Sequence, residues 1–155
     1  MITVRIQREP FDVQAEATLL TAGATDVGAL VTFTGLCRDE GGRLLALELE
    51  HYPGMALEEI TRIAEETEAR FELEGLTVIH RHGLVAPGEQ IVLVLAAASH
   101  RRAALQAADF MMDYLKTRAP FWKREHLTDG TLGDWVQASA ADDLDAARWQ
   151  RDETS

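Results

Sequence analysis

The sequence predicts an α+β protein in which long amphipathic helices follow runs of short strands. Residues 55–71 carry apolar side chains at helical spacing opposite an acidic face, and residues 101–118 repeat the pattern up to the break before Pro120. Elsewhere, two-residue alternation and short apolar runs indicate strands. With 155 residues, 46% of them hydrophobic, the chain is long enough for one core, so we expect a single domain over residues 1–155.

The remaining elements follow from local patterns. A short helix is expected over residues 11–23, ended by Gly23. Strands are expected at residues 2–7, 28–37, 44–52, 76–85, 90–99, 121–127 and 134–139. The second and third of these, joined by a charged glycine-containing loop, predict a hairpin, and the last two predict a closing strand pair. Residues 139–155 are expected to form a polar tail that is only partly ordered.

Composition excludes several classes of protein. The 15 basic residues against 26 acidic ones give a net charge of −11, so no general nucleic-acid binding is expected. No run approaches the roughly 20 apolar residues of a membrane span, and residues 1–12 lack the features of a signal peptide, so we expect a cytoplasmic protein with no membrane partner. The single cysteine, Cys37, excludes an internal disulfide and reads as a small strand residue rather than a nucleophile.

The two lysines of the chain lie seven residues apart, at Lys116 and Lys123, whereas arginine supplies the other thirteen basic side chains. A lysine can donate or accept a proton or act as a nucleophile, but arginine stays protonated. With Arg118 and Arg124, the lysines place four cations in nine residues of an acidic protein. This pattern predicts a site for a small anion, and the alternative is a solvated basic helix end.

A second cationic group opens the long helix. Ser99 is expected to be the N-cap, and the basic residues His100, Arg101 and Arg102 follow it. Cations in a first turn oppose the helix dipole, so an anion such as phosphate would explain them. Alternatively, the arginines pair with Asp109 or Asp113, or reach water.

The histidines give a weak signal. His80 and His82 are two apart on a predicted strand, but no third ligand of matching spacing is evident, so no metal site is expected. Aromatic residues near the lysines suit either a heterocycle or the core; these are Phe110, Tyr114, Phe121 and Trp122. The chain has no phosphate loop, dinucleotide fingerprint or nucleophile elbow.

Five segments of the chain are distinctive: LELEHYPGM (47–55), VIHRHG (78–83), APGE (86–89), SHR (99–101) and FMMDYLKTRAPFWKRE (110–125). Together they resemble the MoaE family, the large subunit of molybdopterin synthase. The likeness runs from about residue 2 to residue 149 in the family's order. It implies an α/β hammerhead-like core with an additional small antiparallel β sheet.

The resemblance also implies a reaction. Family members are sulfurtransferases of molybdenum cofactor biosynthesis that convert cyclic pyranopterin monophosphate (precursor Z) into molybdopterin. Two sulfurs arrive on the thiocarboxylated Gly-Gly tail of a ubiquitin-fold small subunit, MoaD. The resemblance further implies a homodimer of large subunits within a heterotetramer, and no cofactor or metal.

Matching motifs assign the site residues. The resemblance implies that Lys116 and Lys123 are catalytic and that the substrate-binding set is Arg38, His100, Arg101, Lys116, Lys123, Arg124 and Glu125. Within it, Lys116 is expected to act as general acid and base, and Lys123 to orient the thiocarboxylate or an acyl intermediate. Leu36 and a loop 38–47 that is about two residues short depart from the family pattern. They put contacts made by that loop in question.

Two other functions remain open at this point. One is a non-catalytic anion-binding scaffold that docks a ubiquitin-like partner. The other is a lysine imine enzyme acting on a phosphorylated carbonyl compound, with Lys116 as nucleophile.

Overall fold

The computed structural model describes residues 1–137 and 146–150, and in this part of the chain seven strands form two sheets that pack with three helices of nine or more residues. The strands are β1 (Ile2–Gln7), β2 (Ala29–Leu36), β3 (Leu44–His51), β4 (Gly75–Arg81), β5 (Gly83–Val85), β6 (Gln90–Ala98) and β7 (Phe121–Leu127). The helices are α1 (Val13–Thr21), α2 (Met55–Phe71) and α3 (Arg101–Arg118). The α+β class predicted from the sequence is confirmed.

The large sheet has four strands in the order β1-β4-β6-β2, with β1 and β4 parallel and the other pairs antiparallel. Alternate residues of β6 face opposite layers. Val92 and Val94 join the core cluster that contains side chains of α2 and α3, while Leu93 and Leu95 join the cluster under α1. Because β4 and β6 are covered on both faces, β4 is buried from Gly75 to Ile79 and β6 is a continuous apolar run after Gln90.

The small sheet has three antiparallel strands in the order β5-β3-β7. It alternates in the usual way, with Leu49 fully buried between the half-exposed Glu48 and the exposed Glu50. Cys37, Leu44 and Val85 complete the apolar cluster on its inner face. The inner face of this sheet borders the cavity described below.

The predicted hairpin between residues 28–37 and 44–52 is wrong. β2 pairs with β6 in the large sheet, and β3 pairs with β5 and β7 in the small one. The loop between them contains three consecutive residues with positive φ, Glu40, Gly41 and Gly42, which redirect the chain. Cys37 continues the β2 pairing beyond the strand through backbone hydrogen bonds with Gly88 and Glu89.

The strand predicted over residues 76–85 is two strands in different sheets. β4 ends at Arg81 and β5 begins at Gly83, so the chain passes from the large sheet to the small one across His82. Gly83 has φ +86°, and a Cβ atom there would lie 2.8 Å from Nη1 of Arg8. The left-handed backbone favours glycine at this position, whereas the flexible Arg8 side chain could move away from an added Cβ atom.

Helix α3 begins without the expected Ser99 cap. The N-cap residue is His100, with extended backbone angles and no capping side chain, and Ser99 Oγ lies 3.4 Å from Oε1 of Glu74 instead. The predicted closing strand pair is only half formed. β7 pairs along its length with β3, and the segment after it contributes isolated bridges at Leu132 and Val136.

The described part of the predicted tail packs on α3. Residues 146–150 are helical, and Trp149 is 7% exposed against Phe71 and Phe110. Asp113 Oδ2 accepts hydrogen bonds from Trp149 Nε1 at 2.6 Å and from Arg148 Nη2 at 2.8 Å. The rest of the predicted tail lies outside the described residues.

Within residues 1–137 and 146–150, no helix has the length and apolarity to cross a membrane.

Candidate active site

A cavity of about 770 Å³ opens where the two sheets and the C-terminal end of α3 meet. The large sheet contributes residues of β2, β4 and β6, the small sheet contributes β3 and β7, and α3 contributes its last turns. This location follows from the fold, because the divergence of β2 and β3 into separate sheets leaves a cleft between them.

The walls of the cavity are mostly apolar. They include Leu47 and Leu49 from β3, Ile91 from β6, and Met112 and Leu115 from α3. The inward positions of β3 alternate with the outward Glu48, and the two α3 residues are three apart, so both periodicities direct apolar side chains to the cavity. An apolar wall strengthens the electrostatic interactions of any charge placed against it.

Lys116 and Lys123 both line this one cavity. Lys116 lies in the last turn of α3, and Lys123 lies in β7 on the other side of the turn made by Ala119 and Pro120. The sequence prediction that the two amines converge on one site agrees with this arrangement. Two ammonium groups in an apolar-walled cleft favour binding of an anion between them.

Arg38, Glu40 and Glu125 complete the charged lining. Nη2 of Arg38 lies 3.4 Å from Oε1 of Glu40. Both side chains are exposed, and they lie in the 37–43 loop, which forms one end of the cavity. Glu125 Oε2 lies 3.4 Å from Nη2 of Arg43. The lining therefore has three cations, Arg38 and the two lysines, against two carboxylates.

Arg124 points away from the cavity. Successive residues of a strand face opposite sides, so β7 presents Lys123 and Glu125 to the cavity and Arg124 and His126 to the outer face. There, Oε1 of Glu48 accepts from Arg124 Nη2 at 2.9 Å and contacts His126 Nε2 at 2.8 Å. These hydrogen bonds, that of His126 first, lower the pKa of Glu48.

The Arg124 guanidinium also lies 4.5 Å above the Trp135 ring. The predicted contact between Arg124 and substrate therefore does not arise within the cavity of one chain.

His100 and Arg101 are not among the residues that line the cavity. They stand at the opposite end of α3 from Lys116, and fifteen residues of α-helix span about 22 Å. Asp109 and Asp113, considered above as partners for Arg101, instead bind Arg148. Arg101 forms no ion pair with any carboxylate that the structure describes.

His80, considered from the sequence only as a metal ligand, lines the cavity. Its ring stacks on Phe121 with the centroids 3.9 Å apart and an interplanar angle of 19°. His82 is instead next to His51 at 4.6 Å. Of the aromatic residues considered for the site, only Phe121 lines the cavity, while Phe110 and Tyr114 are buried in the core.

Cys37 lines the cavity but is poorly suited to nucleophilic chemistry. Burial, followed by the charges of Glu40 and Glu89, raises the pKa of its thiol. A raised pKa disfavours the thiolate, which is the reactive form. Among the described residues, no three His, Cys, Asp or Glu side chains are grouped to hold a metal ion.

Fold and cavity together define a small α+β protein with a cationic, apolar-walled cleft for a compact anion. The family model described as "MoaE protein" matches residues 6–118. The molybdopterin synthase catalytic subunit of Mesorhizobium japonicum is 65% identical over 148 residues, covering 96% of this chain and 93% of that protein. The chain belongs to the MoaE family.

Solved structures agree with this assignment. The molybdopterin biosynthesis MoaE protein of Burkholderia ambifaria is 45% identical, with a TM-score of 0.84 over 97% of this chain and 99% of that one. A complex of subunits 1 and 2 of molybdopterin-converting factor from Helicobacter pylori is 20% identical. It shares the fold with a TM-score of 0.67, over 88% of this chain and 90% of that one.

Proposed function

We propose that this protein is the catalytic subunit of a molybdopterin synthase, a sulfurtransferase of molybdenum cofactor biosynthesis. Its substrate is cyclic pyranopterin monophosphate, and its product is molybdopterin. The name shared by its relatives supports this function. The structural observation that supports it best is the convergence of Lys116 and Lys123 on one cavity.

The cavity suits both reactants. The cations Arg38, Lys116 and Lys123 favour the phosphate of the substrate and the negative charge that develops when its cyclic diester opens. The apolar walls accept the flat pterin. Lys116 serves as the general acid and base during attack by the thiocarboxylate sulfur and loss of the carbonyl oxygen. Lys123 orients the thiocarboxylate or the acyl intermediate.

The sulfur comes from a partner subunit. Cys37, the single cysteine of the chain, is buried and its pKa is raised, so it is unsuited to carry sulfur. We propose that a ubiquitin-fold small subunit of the MoaD type inserts its thiocarboxylated Gly-Gly tail into the cavity. The relatives are named as catalytic subunits, and the Helicobacter pylori neighbour is a complex of two subunits, which supports such a partner.

The assignment of His100 and Arg101 to the substrate requires a second copy of the chain. Within one chain these residues are about 22 Å from Lys116 along α3. In the homodimer proposed for the large subunits, one protomer can present the N-terminal end of its α3 to the cavity of the other. The assembly then has two large subunits with a small subunit on each.

An assay with purified components tests the function. The protein, thiocarboxylated small subunit and cyclic pyranopterin monophosphate are expected to yield molybdopterin, detected as its fluorescent oxidation product. Binding of the small subunit without product would instead support the non-catalytic scaffold. Borohydride trapping of substrate on Lys116 would support the imine enzyme. A cytoplasmic location stays a prediction, which cell fractionation checks.

A further inference from the structure

His80 occupies a constrained position in the cavity. It is the next-to-last residue of β4, in register with Ile6 of β1 and Val92 of β6, so the backbone on both sides holds it in the large sheet. Its ring lies flat on Phe121, whose other aromatic neighbour is His51 at 5.8 Å. The imidazole plane therefore has little freedom to rotate.

One hydrogen bond determines the tautomer of this ring. Nδ1 of His80 lies 2.7 Å from the carbonyl oxygen of Arg81. A carbonyl oxygen only accepts, so Nδ1 carries the proton and donates it. Burial, the largest effect, lowers the pKa of His80 to about 4, and the positive charge of Lys123 acts in the same direction. At neutral pH the ring is thus uncharged, and Nε2 has a free lone pair.

Lys123 is the neighbouring cation. Phe121 and Lys123 are two residues apart in β7 and face the same side, about 7 Å apart along the strand. His80 stacks on Phe121, all three residues line the cavity, and the Lys123 charge is near enough to act on the His80 ring. A cationic histidine at this point would repel Lys123, whereas a neutral one offers an acceptor to its ammonium group.

We infer that His80 is a positioning residue that holds the Lys123 ammonium group in the cavity through the lone pair of its Nε2 atom. The carbonyl of Arg81 and the ring of Phe121 fix the imidazole so that only an uncharged acceptor faces this lysine. The expected effect of His80 on the rate of molybdopterin formation rests on the proposed function. The expected protonation of its ring nitrogens rests on the geometry of the chain alone.

The kinetic test uses the full synthase with three variants. His80→Phe keeps a flat ring against Phe121 but removes the acceptor, so molybdopterin formation should slow by about tenfold or more as Lys123 loses its orientation. His80→Gln places an amide oxygen near the position of Nε2 and should recover most of the rate. His51→Phe is the matched control, because His51 also stacks on Phe121 but does not line the cavity. It should keep the wild-type rate.

Two outcomes of this test would overturn the inference. One is a wild-type rate in a folded His80→Phe variant. The other is an equal loss in His80→Phe and His80→Gln, which would indicate packing alone.

A nitrogen-15 NMR spectrum of the imidazoles tests the same geometry without any turnover. In the full-length chain at pH 7, His80 should show a protonated Nδ1 and an unprotonated Nε2, with the signals assigned by their loss in His80→Gln. Lys123→Met should shift the Nε2 resonance and leave that of His51 unchanged. A proton on Nε2, or no response to Lys123→Met, would refute the inference even in a protein that makes molybdopterin. An inactive wild type with the expected spectrum would refute the proposed function alone.

Discussion

The two ends of helix α3 both have basic side chains, but their surroundings differ. At the C-terminal end, Lys116 lines a cavity with apolar walls, and the preceding turn is covered by residues 146–150. At the N-terminal end, His100 and Arg101 are exposed and lack a capping side chain. Cations complement the helix dipole at the first of these ends and oppose it at the second. Under the proposed function, each end of this one helix contributes half of a cationic site, and two protomers are needed to complete it.

Removal of the Lys116 amine, at the C-terminal end of α3, should have the largest effect on the rate of molybdopterin formation. Lys116→Ala is expected to slow molybdopterin formation by at least about a hundredfold, because general acid and base catalysis contributes this much or more. Binding of the small subunit, measured by calorimetry, should persist. Lys116→Arg keeps the charge but not the proton transfer, so its rate should stay close to that of Lys116→Ala. A wild-type rate in either variant would contradict the role of Lys116.

Mixed dimers test whether the two ends meet across protomers. A dimer that joins one Lys116→Ala chain to one Arg101→Ala chain has one doubly altered site and one intact site, if each site combines Lys116 of one protomer with Arg101 of the other. Such dimers, purified with two different affinity tags, should reach about half of the wild-type rate when substrate is well below KM. If both residues act within one chain, one site lacks its amine and the other binds substrate about tenfold more weakly, so the rate under these conditions should fall to roughly a twentieth of the wild-type value.

Substitutions at the N-terminal end of α3 should weaken substrate binding more than they slow the chemical step. Arg101→Ala is expected to raise KM for cyclic pyranopterin monophosphate by about tenfold, since a charge-assisted hydrogen bond to phosphate contributes about 1.5 kcal/mol. Arg102→Ala is the matched control. It removes the same charge one residue along the helix, and Arg102 is not among the residues predicted to bind the substrate. Equal effects of the two substitutions would show that only net charge matters.

Residues 146–150 cover the C-terminal half of α3, and loss of this packing is expected to have a smaller effect, on the free energy of unfolding. Asp113→Ala leaves the buried indole N–H of Trp149 without its acceptor, so the free energy of unfolding should fall by about 2 kcal/mol in urea denaturation. Among the described residues, the one ion pair of Asp109 is with Arg148, and its side chain is more exposed than that of Asp113, so Asp109→Ala should be nearly neutral. An equal loss in both variants would indicate that Arg148, not Trp149, anchors the segment.

The helices could be predicted from the sequence because their apolar periodicity is local. The bounds of α2 match the predicted range, and those of α3 match it from Arg101 to Arg118. The partner of each strand is not local. β2 and β3 are adjacent in sequence, yet β2 pairs with the apolar β6 while β3 pairs with β7. Nothing in residues 28–52 alone distinguishes a hairpin from two strands that diverge.

The site was predictable in part, for similar reasons. The rarity of lysine indicated Lys116 and Lys123, and their convergence agrees with that prediction. Motif matching could not show that Arg124 faces outward, because neighbouring strand residues alternate and the register was unknown. His80 was missed because its tautomer depends on a backbone carbonyl and its position depends on Phe121. The burial of Trp149 also depends on distant contacts.

The passage of the chain from β4 to β5 across His82 has a consequence for how this protein tolerates change in length. Both sheets share one nearly continuous segment, Gly75–Arg81 followed at once by Gly83–Val85, so a single inserted or deleted residue there would shift the pairing of both. Residues 38–43 join the same two sheets through a loop with two glycines and no strand pairing, so a change in length is tolerated better there. Variation in the width of the cleft is therefore expected to arise at the loop and never at the shared segment.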